Sequence, residues 1–251
     1  MSKEAYVKKE VENGIALVEF FHPAHNSLPG NILTKLANTI TEVGEDPEVK
    51  VVIMQSGGDR TFCAGASFNE LIAINDEATG KVFFSGFAKV INAMRKCPKF
   101  IVGRVQGKVV GGGVGLASAM DYCMATKYAA IKLSELNLGI GPFVVGPAVA
   151  RKIGVSGMSQ IAIDANTFYS PEWAMQKGLY TQVLETTEEL DKAVWEFAEG
   201  LTKFNPEAMA EMKKTFWVGT EDWDELLEER AAISGRLVLS DFTKKTLDKY
   251  K

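Results

Sequence analysis

Two small-residue bends and one carboxylate have the composition and spacing to do chemistry. The first bend is Gly111-Gly112-Gly113-Val114-Gly115, entered from Val105-Gln106-Gly107-Lys108-Val109-Val110 and followed by helix-compatible Leu116-Ala117-Ser118-Ala119. Strand, glycines, then helix leaves backbone N–H groups unpaired at a helix N-terminus, where partial positive charge also collects. Without side chains in the way, a ligand oxygen can approach that backbone closely. The oxygen could belong to a phosphate, or to a carbonyl that gains negative charge during a reaction. The second bend is Ala64-Gly65-Ala66. One N–H donor from each bend would meet the requirement for an oxyanion hole. Glu135 lies between Ser134 and Leu136 in an otherwise apolar stretch. Apolar surroundings raise a carboxyl pKa and make it useful for moving protons near neutral pH.

Other chemistries have less support. A P-loop needs Gly-Lys-Ser/Thr at Walker spacing, and none follows the glycines. A dinucleotide site is the runner-up: Gly113-Val114-Gly115-Leu116-Ala117-Ser118 approaches G-x-G-x-x-G, with Glu135 about 20 residues on, where a ribose-binding acid is expected. Against that reading, Ser118 replaces the last glycine and strand-like segments intervene before Glu135. His22 and His25 share one loop without a neighbouring acid, which suits surface residues or ligand contacts. No G-x-S-x-G elbow occurs, and Cys63, Cys97 and Cys123 lack metal-ligand spacing, so no metal site is expected.

The elements that must position these residues follow from periodicity. Two alternating runs within residues 6–21 surround Asn13-Gly14, a hairpin signal. Ile32, Leu33, Leu36, Ile40 and Val43 mark an amphipathic helix ending near Gly44. Residues 51–55 read as a strand, 68–74 as helical, 75–80 as a polar loop and 83–94 as a second amphipathic helix. Short strands follow the glycine bend at 122–125 and 130–133. Helices are expected at 144–153 and 156–163, and another starts at Ser170-Pro171. Residues 179–184 can form a late strand. From Thr187 the pattern is helical, with a break at Asn205-Pro206. Strands and helices alternate first and helices dominate later, an α/β core with a helical C-terminal segment.

The 251 residues, 46% hydrophobic and 24% charged, suit a soluble domain with a sizeable core. A net charge of −4 gives no electrostatic footprint for nucleic acid. No apolar run is long enough to span a bilayer, and the polar start lacks the apolar core of a secretory signal. An odd number of cysteines suggests free thiols. A cytoplasmic protein that binds neither nucleic acid nor membrane is the expectation.

Taken in order, residues 62–68, 105–116, Asp121-Tyr122 and 134–140 resemble the crotonase (enoyl-CoA hydratase/isomerase) family, and the likeness runs through essentially the whole chain. The resemblance implies a spiral of ββα units over residues 1–190, with a helical oligomerisation segment at 191–251 that builds homotrimers or homohexamers. It implies a coenzyme A thioester as substrate and no separate cofactor. The thioester oxygen would be held by the N–H groups of Ala66 and Gly112, with Glu135 as the catalytic carboxylate. Ala24, His25, Asn26, Ala64, Ala66, Ser67, Phe68, Asn69 and Gly112 would line the coenzyme A. Ser67 stands where the family usually has Asp, a change expected to touch only loop hydrogen bonding. Gly115 stands where its hydratases usually carry a first glutamate. The resemblance therefore implies syn hydration of an enoyl-CoA with one glutamate, and, as alternatives, Δ3,Δ2-enoyl-CoA isomerisation or a non-catalytic thioester binder. Residues 138–147 look most like bacterial hydratases for methylglutaconyl-CoA in leucine breakdown.

Overall fold

The computed structural model describes residues 4–250. The chain opens with a hairpin of β1 (Tyr6–Glu12) and β2 (Ile15–Phe21). Asn13 and Gly14 have φ of 52° and 81°, the positive values that a two-residue turn between twisted strands requires. Next come β3 (Ser27–Leu28), α1 (Gly30–Glu45), β4 (Val51–Ser56), β5 (Thr61–Cys63), β6 (Gly65–Ala66), α2 (Phe68–Ile72) and α3 (Glu77–Lys96). The middle of the chain forms β7 (Phe100–Val105), β8 (Lys108–Val110), α4 (Gly112–Ala119), β9 (Tyr122–Thr126) and β10 (Ile131–Lys132). A 3-10 turn at Glu135–Leu138 leads to α5 (Gly146–Ile163), α6 (Pro171–Gln176) and β11 (Gln182–Leu184). The chain then continues through α7 (Thr187–Leu201), α8 (Pro206–Phe216), α9 (Trp223–Leu237) and α10 (Asp241–Leu247).

A β-β-α unit repeats three times. β4, β7 and β9 enter a six-stranded sheet of order β1-β2-β4-β7-β9-β11, while their successors β5, β8 and β10 form a second sheet of order β10-β8-β5. A helix follows each pair. In the large sheet every pairing after β1–β2 is parallel. Parallel strands need both faces covered, and side chains alternate between those faces. Val52 and Met54 accordingly join the main core, whereas Val51 and Ile53 pack with Leu190, Val194 and Ala198 of α7.

The structure differs from the sequence reading at residues 75–80. Asp76 caps α3, its carboxylate accepting from the Thr79 N–H at 2.7 Å, so most of the expected loop is helix. Gly80 lies on α3 where α9 crosses it: a Cβ there would come within 2.8 Å of Gly235 Cα, and one on Gly235 within 2.7 Å of Lys81 N. The two helix backbones touch. Gly235→Ala is therefore expected to cost about 1–3 kcal/mol through overpacking. Thermal unfolding would show it as a melting temperature lower by several degrees.

The two helices expected between 144 and 163 form one element broken at Gly154, with φ 75° and ψ 159°. The C-terminal helices share the main core, which includes Trp217, Trp223, Leu227 and Ala231. Lys213 of α8 is buried, and its ammonium meets Asp121 Oδ2 at 2.8 Å and donates to Lys99 O at 2.8 Å. Asp121 also accepts from the Ile101 N–H and from Trp217 Nε1. That buried pair, with hydrogen-bond partners on both charges, fixes α8 to the sheet. Among the described residues no helix is long and apolar enough to cross a membrane.

Candidate active site

The two bends lie against each other. β6 pairs with β3: Ser67 N–H donates to Leu28 O at 3.0 Å and Ser27 Oγ donates to Ala66 O at 2.9 Å. Successive amides of an extended chain point to opposite sides, so with the Ser67 N–H directed at β3 the preceding Ala66 N–H is turned away from it. At the other bend, Gly111 N–H donates to Lys132 O and Gly111 O accepts from Val114 N–H, both at 2.9 Å. Gly112 is the first residue of α4, where a helix leaves its own N–H groups unpaired. Gly111 takes φ 55° with ψ −121°, a conformation open to glycine and little else. A Cβ on Gly65 would lie 3.6 Å from Gly112 N, and one on Gly111 would lie 3.3 Å from Glu135 Oε1. Both bends and the carboxylate thus adjoin one point.

Glu135 opens the 3-10 turn after β10, which Gly139 closes at φ 79°. Its Oε2 is shielded from solvent and has no hydrogen-bond partner. Burial pushes the Glu135 carboxyl up to about 7, against a smaller opposing pull from the backbone N–H groups of Glu135 and Ser134. A buried acceptor without a partner is costly unless a ligand completes it. A carboxyl poised near 7 can give or take a proton at physiological pH.

These groups open on a cavity of about 680 Å³. Ala64, Ala66, Phe68, Gly112 and Glu135 are brought together on its wall. Ala24, His25, Asn26, Ser67 and Asn69 are not part of that wall. The Asn26 side chain turns into the protein instead: its amide donates to Gly57 O and Thr61 O, each at 2.9 Å, while its Oδ1 accepts from the His22 N–H at 2.8 Å. Asn26 thereby holds the 22–26 loop rather than presenting its side chain to a ligand. Ser67 caps α2, accepting from Glu70 N–H at 3.4 Å. Ala24, His25 and Asn69 are exposed.

Sequence reasoning missed the side chains that seal the bends. The Phe87 ring covers Gly112, where a Cβ would fall 2.3 Å from its Cζ. Val145 and Ile91 cover Gly115, where a Cβ would meet Val145 Cγ1 at 2.5 Å and Ile91 Cδ1 at 3.3 Å. The space beside Gly115 is therefore filled by aliphatic carbon. Only the glycines hinted at these contacts, because a missing side chain often marks a close approach.

The chain matches the family model described as enoyl-CoA hydratase/isomerase over residues 10–250. It is 25% identical to a peroxisomal Delta(3,5)-Delta(2,4)-dienoyl-CoA isomerase of Arabidopsis thaliana, covering 85% of this chain and 82% of that protein. It is 30% identical to the mitochondrial methylglutaconyl-CoA hydratase of Mus musculus, covering 75% of this chain and 60% of that one. The crystal structure of an enoyl-CoA hydratase from Bacillus halodurans superposes with a TM-score of 0.89 at 21% identity, over 97% of this chain and 99% of that chain. A crotonase-type α/β spiral with C-terminal helices, built around two glycine bends and an acid, thus comes with a family match along nearly the whole chain, and the protein belongs to the enoyl-CoA hydratase/isomerase (crotonase) family.

Proposed function

We propose that the protein acts on an acyl-CoA thioester, holding the thioester oxygen between the Ala66 and Gly112 N–H groups while Glu135 moves a proton. Donors placed where negative charge develops stabilise the enolate more than the starting thioester. The reading the geometry supports best is a Δ3,Δ2 double-bond shift. Glu135 takes a proton from C2 of a 3-enoyl thioester, the oxygen holds the dienolate charge, and Glu135 returns the proton at C4. One carboxylate suffices for both halves. The observation that carries this reading is the aliphatic seal of Val145 and Ile91 over Gly115. It leaves the bend apolar at the position where a water-orienting acid would otherwise stand.

Syn hydration of a 2-enoyl thioester is the second reading. The similarity to a protein named as a hydratase and the poise of Glu135 near 7 favour it. In that case Glu135 must begin protonated in order to deliver its proton to C2. The pH profile separates the readings. A base role requires the carboxylate, so kcat/KM on 3-enoyl thioesters is expected to fall about tenfold per pH unit below about 7 and to level off above it. An acid role predicts the mirror image, with hydration falling above about 7. Absorbance of the conjugated thioester and product mass complete the test: isomerisation creates the absorbance without a mass change, and hydration bleaches it while adding one water. Binding without turnover on either substrate would leave a non-catalytic thioester binder.

The polar end of coenzyme A would run past Ala24, His25, Ser67 and Asn69, which lie within three residues of the wall residues Ser27 and Phe68 in sequence. We further propose assembly into trimers or hexamers through the C-terminal helical segment, where Phe204, Met212, Phe216 and Phe242 are exposed and apolar. Three buried free thiols, Cys63, Cys97 and Cys123, support a reducing, cytoplasmic setting.

A further inference from the structure

We infer that Ser234 determines specificity at the far end of the chamber, where its hydroxyl hydrogen-bonds an oxygen substituent, a hydroxyl or keto group, carried near C8 of the acyl chain. The inference rests on the acyl-CoA reading above. Ser234 is 1% exposed and forms part of the chamber wall. Serine and threonine side chains inside the helices of this protein commonly bond back to their own main chain. Ser118 Oγ donates to Val114 O at 2.7 Å, Thr215 Oγ1 to Glu211 O at 2.8 Å and Thr246 Oγ1 to Phe242 O at 2.9 Å. Among the described residues the Ser234 hydroxyl makes no such bond, nor any other. It is also not one of the sealed polar atoms without a partner, which are Gln106 Oε1 and Glu135 Oε2. The Ser234 oxygen therefore opens on the chamber, with both its donor and its acceptor capacity unused.

The register of α9 on α3 sets how far along the chamber that hydroxyl lies. The two helices run antiparallel: Asn92 Nδ2 donates to Trp223 O, Ser85 Oγ donates to Glu228 Oε2, and Gly80 meets Gly235. Ser234 thus stands beside the first turns of α3, whereas Phe87, the ring over Gly112, lies further along the same helix. At 1.5 Å per residue, roughly 10 Å of α3 separates Gly80 from Phe87. Bonds of about 1.5 Å advance an extended chain about 1.25 Å per carbon, so about eight carbons cover that distance. The stretch between is lined by Phe83 and Phe84, whose rings offer apolar contact and no hydrogen bond. Lys132 belongs to the near end, its carbonyl accepting from the Gly111 N–H at 2.9 Å. A substituent near C8 meets Ser234 instead. A hydroxyl both donates and accepts, so it completes either an alcohol or a ketone.

The test uses saturated thioesters, which can be neither hydrated nor isomerised, so that binding is read apart from turnover. The intact protein is titrated calorimetrically with octanoyl-, 8-hydroxyoctanoyl- and 5-hydroxyoctanoyl-CoA. The 8-hydroxy compound is expected to bind at least as tightly as octanoyl-CoA, because its hydroxyl exchanges water for Ser234. The 5-hydroxy compound buries its hydroxyl against rings and should bind about tenfold more weakly than the 8-hydroxy one. In Ser234→Ala the 8-hydroxy compound should lose about tenfold relative to octanoyl-CoA, whose own affinity reports that the variant is folded. Equal binding of the 5- and 8-hydroxy compounds, or an 8-hydroxy-to-octanoyl ratio unchanged in Ser234→Ala, overturns the inference. The expected pattern without turnover of any enoyl thioester overturns the proton-transfer reading alone. Failure of every thioester to bind overturns both.

Discussion

Glu135→Gln is expected to lower kcat on enoyl thioesters by 10²–10⁴-fold with little change in KM, the range over which a positioned acid–base group contributes. Glutamine preserves the shape of the side chain in the chamber but cannot accept and return a proton, so binding survives while the chemical step stops. The same variant has a second, independent signature. Burial raises the Glu135 carboxyl from its ordinary 4.5 to about 7 in the folded protein, so the fold favours the protonated form. The stability that protonation supplies is complete below about pH 4.5, is lost as pH rises toward 7, and stays lost above it. Glutamine never ionises. Its advantage over the parent should therefore grow between pH 5 and pH 8, reaching at most about 3 kcal/mol. Thermal melts at both pH values, beside steady-state rates, would show a variant more heat-stable at pH 8 and nearly inactive. Unchanged turnover would remove Glu135 from the mechanism.

Removing the Gly112 donor is the second large effect. Proline lacks the N–H yet is tolerated at the first position of a helix, where that N–H has no helical partner. The obstacle is Phe87, whose ring occupies the place of a Cβ on Gly112. The informative comparison is thus Phe87→Ala alone against Phe87→Ala combined with Gly112→Pro. The double variant is expected to lose a further 10²–10³ in kcat, the usual cost of one oxyanion donor. In the parent background even Gly112→Ala should destabilise by about 1–3 kcal/mol, because the ring must move. A double variant as active as Phe87→Ala would place the thioester oxygen elsewhere.

Short-range features of this chain were readable from residues alone. The Asn13-Gly14 hairpin, the inward stripe of α1, the Ser170 cap and the Asn205 break each depend on a few neighbours in sequence. Ala66, Gly112 and Glu135 stood out because glycine-rich bends and an isolated acid are unusual locally, and the family resemblance assigned them roles. Residues 75–80 hold a helix start that their polar composition hides: the Asp76 cap is local, but the role of Gly80 is not. Gly80 looks like a loop residue until α9 presses its backbone against it. Val145 over Gly115 and Phe87 over Gly112 were equally invisible, since each joins α4 to a residue about 25 to 30 positions away, in the turn before α5 or on α3, that meets it only when the spiral closes. The brace formed by the Asn26 side chain depends on carbonyls 31 and 35 residues away. Local chemistry announces a reactive group, whereas the walls that set water access and acyl fit are written in contacts distant along the chain.

The meeting of Gly80 and Gly235 has a consequence for how a substrate enters. Ser234, the neighbour of Gly235, is part of the chamber wall, as are Phe83, Phe84 and Phe87 of α3. Where main chains touch with no side chain between them, there is nothing to swing aside and no slack to take up. That flank behaves as a fixed jamb. Any widening needed to admit a bulky thioester has to come from elsewhere on the wall.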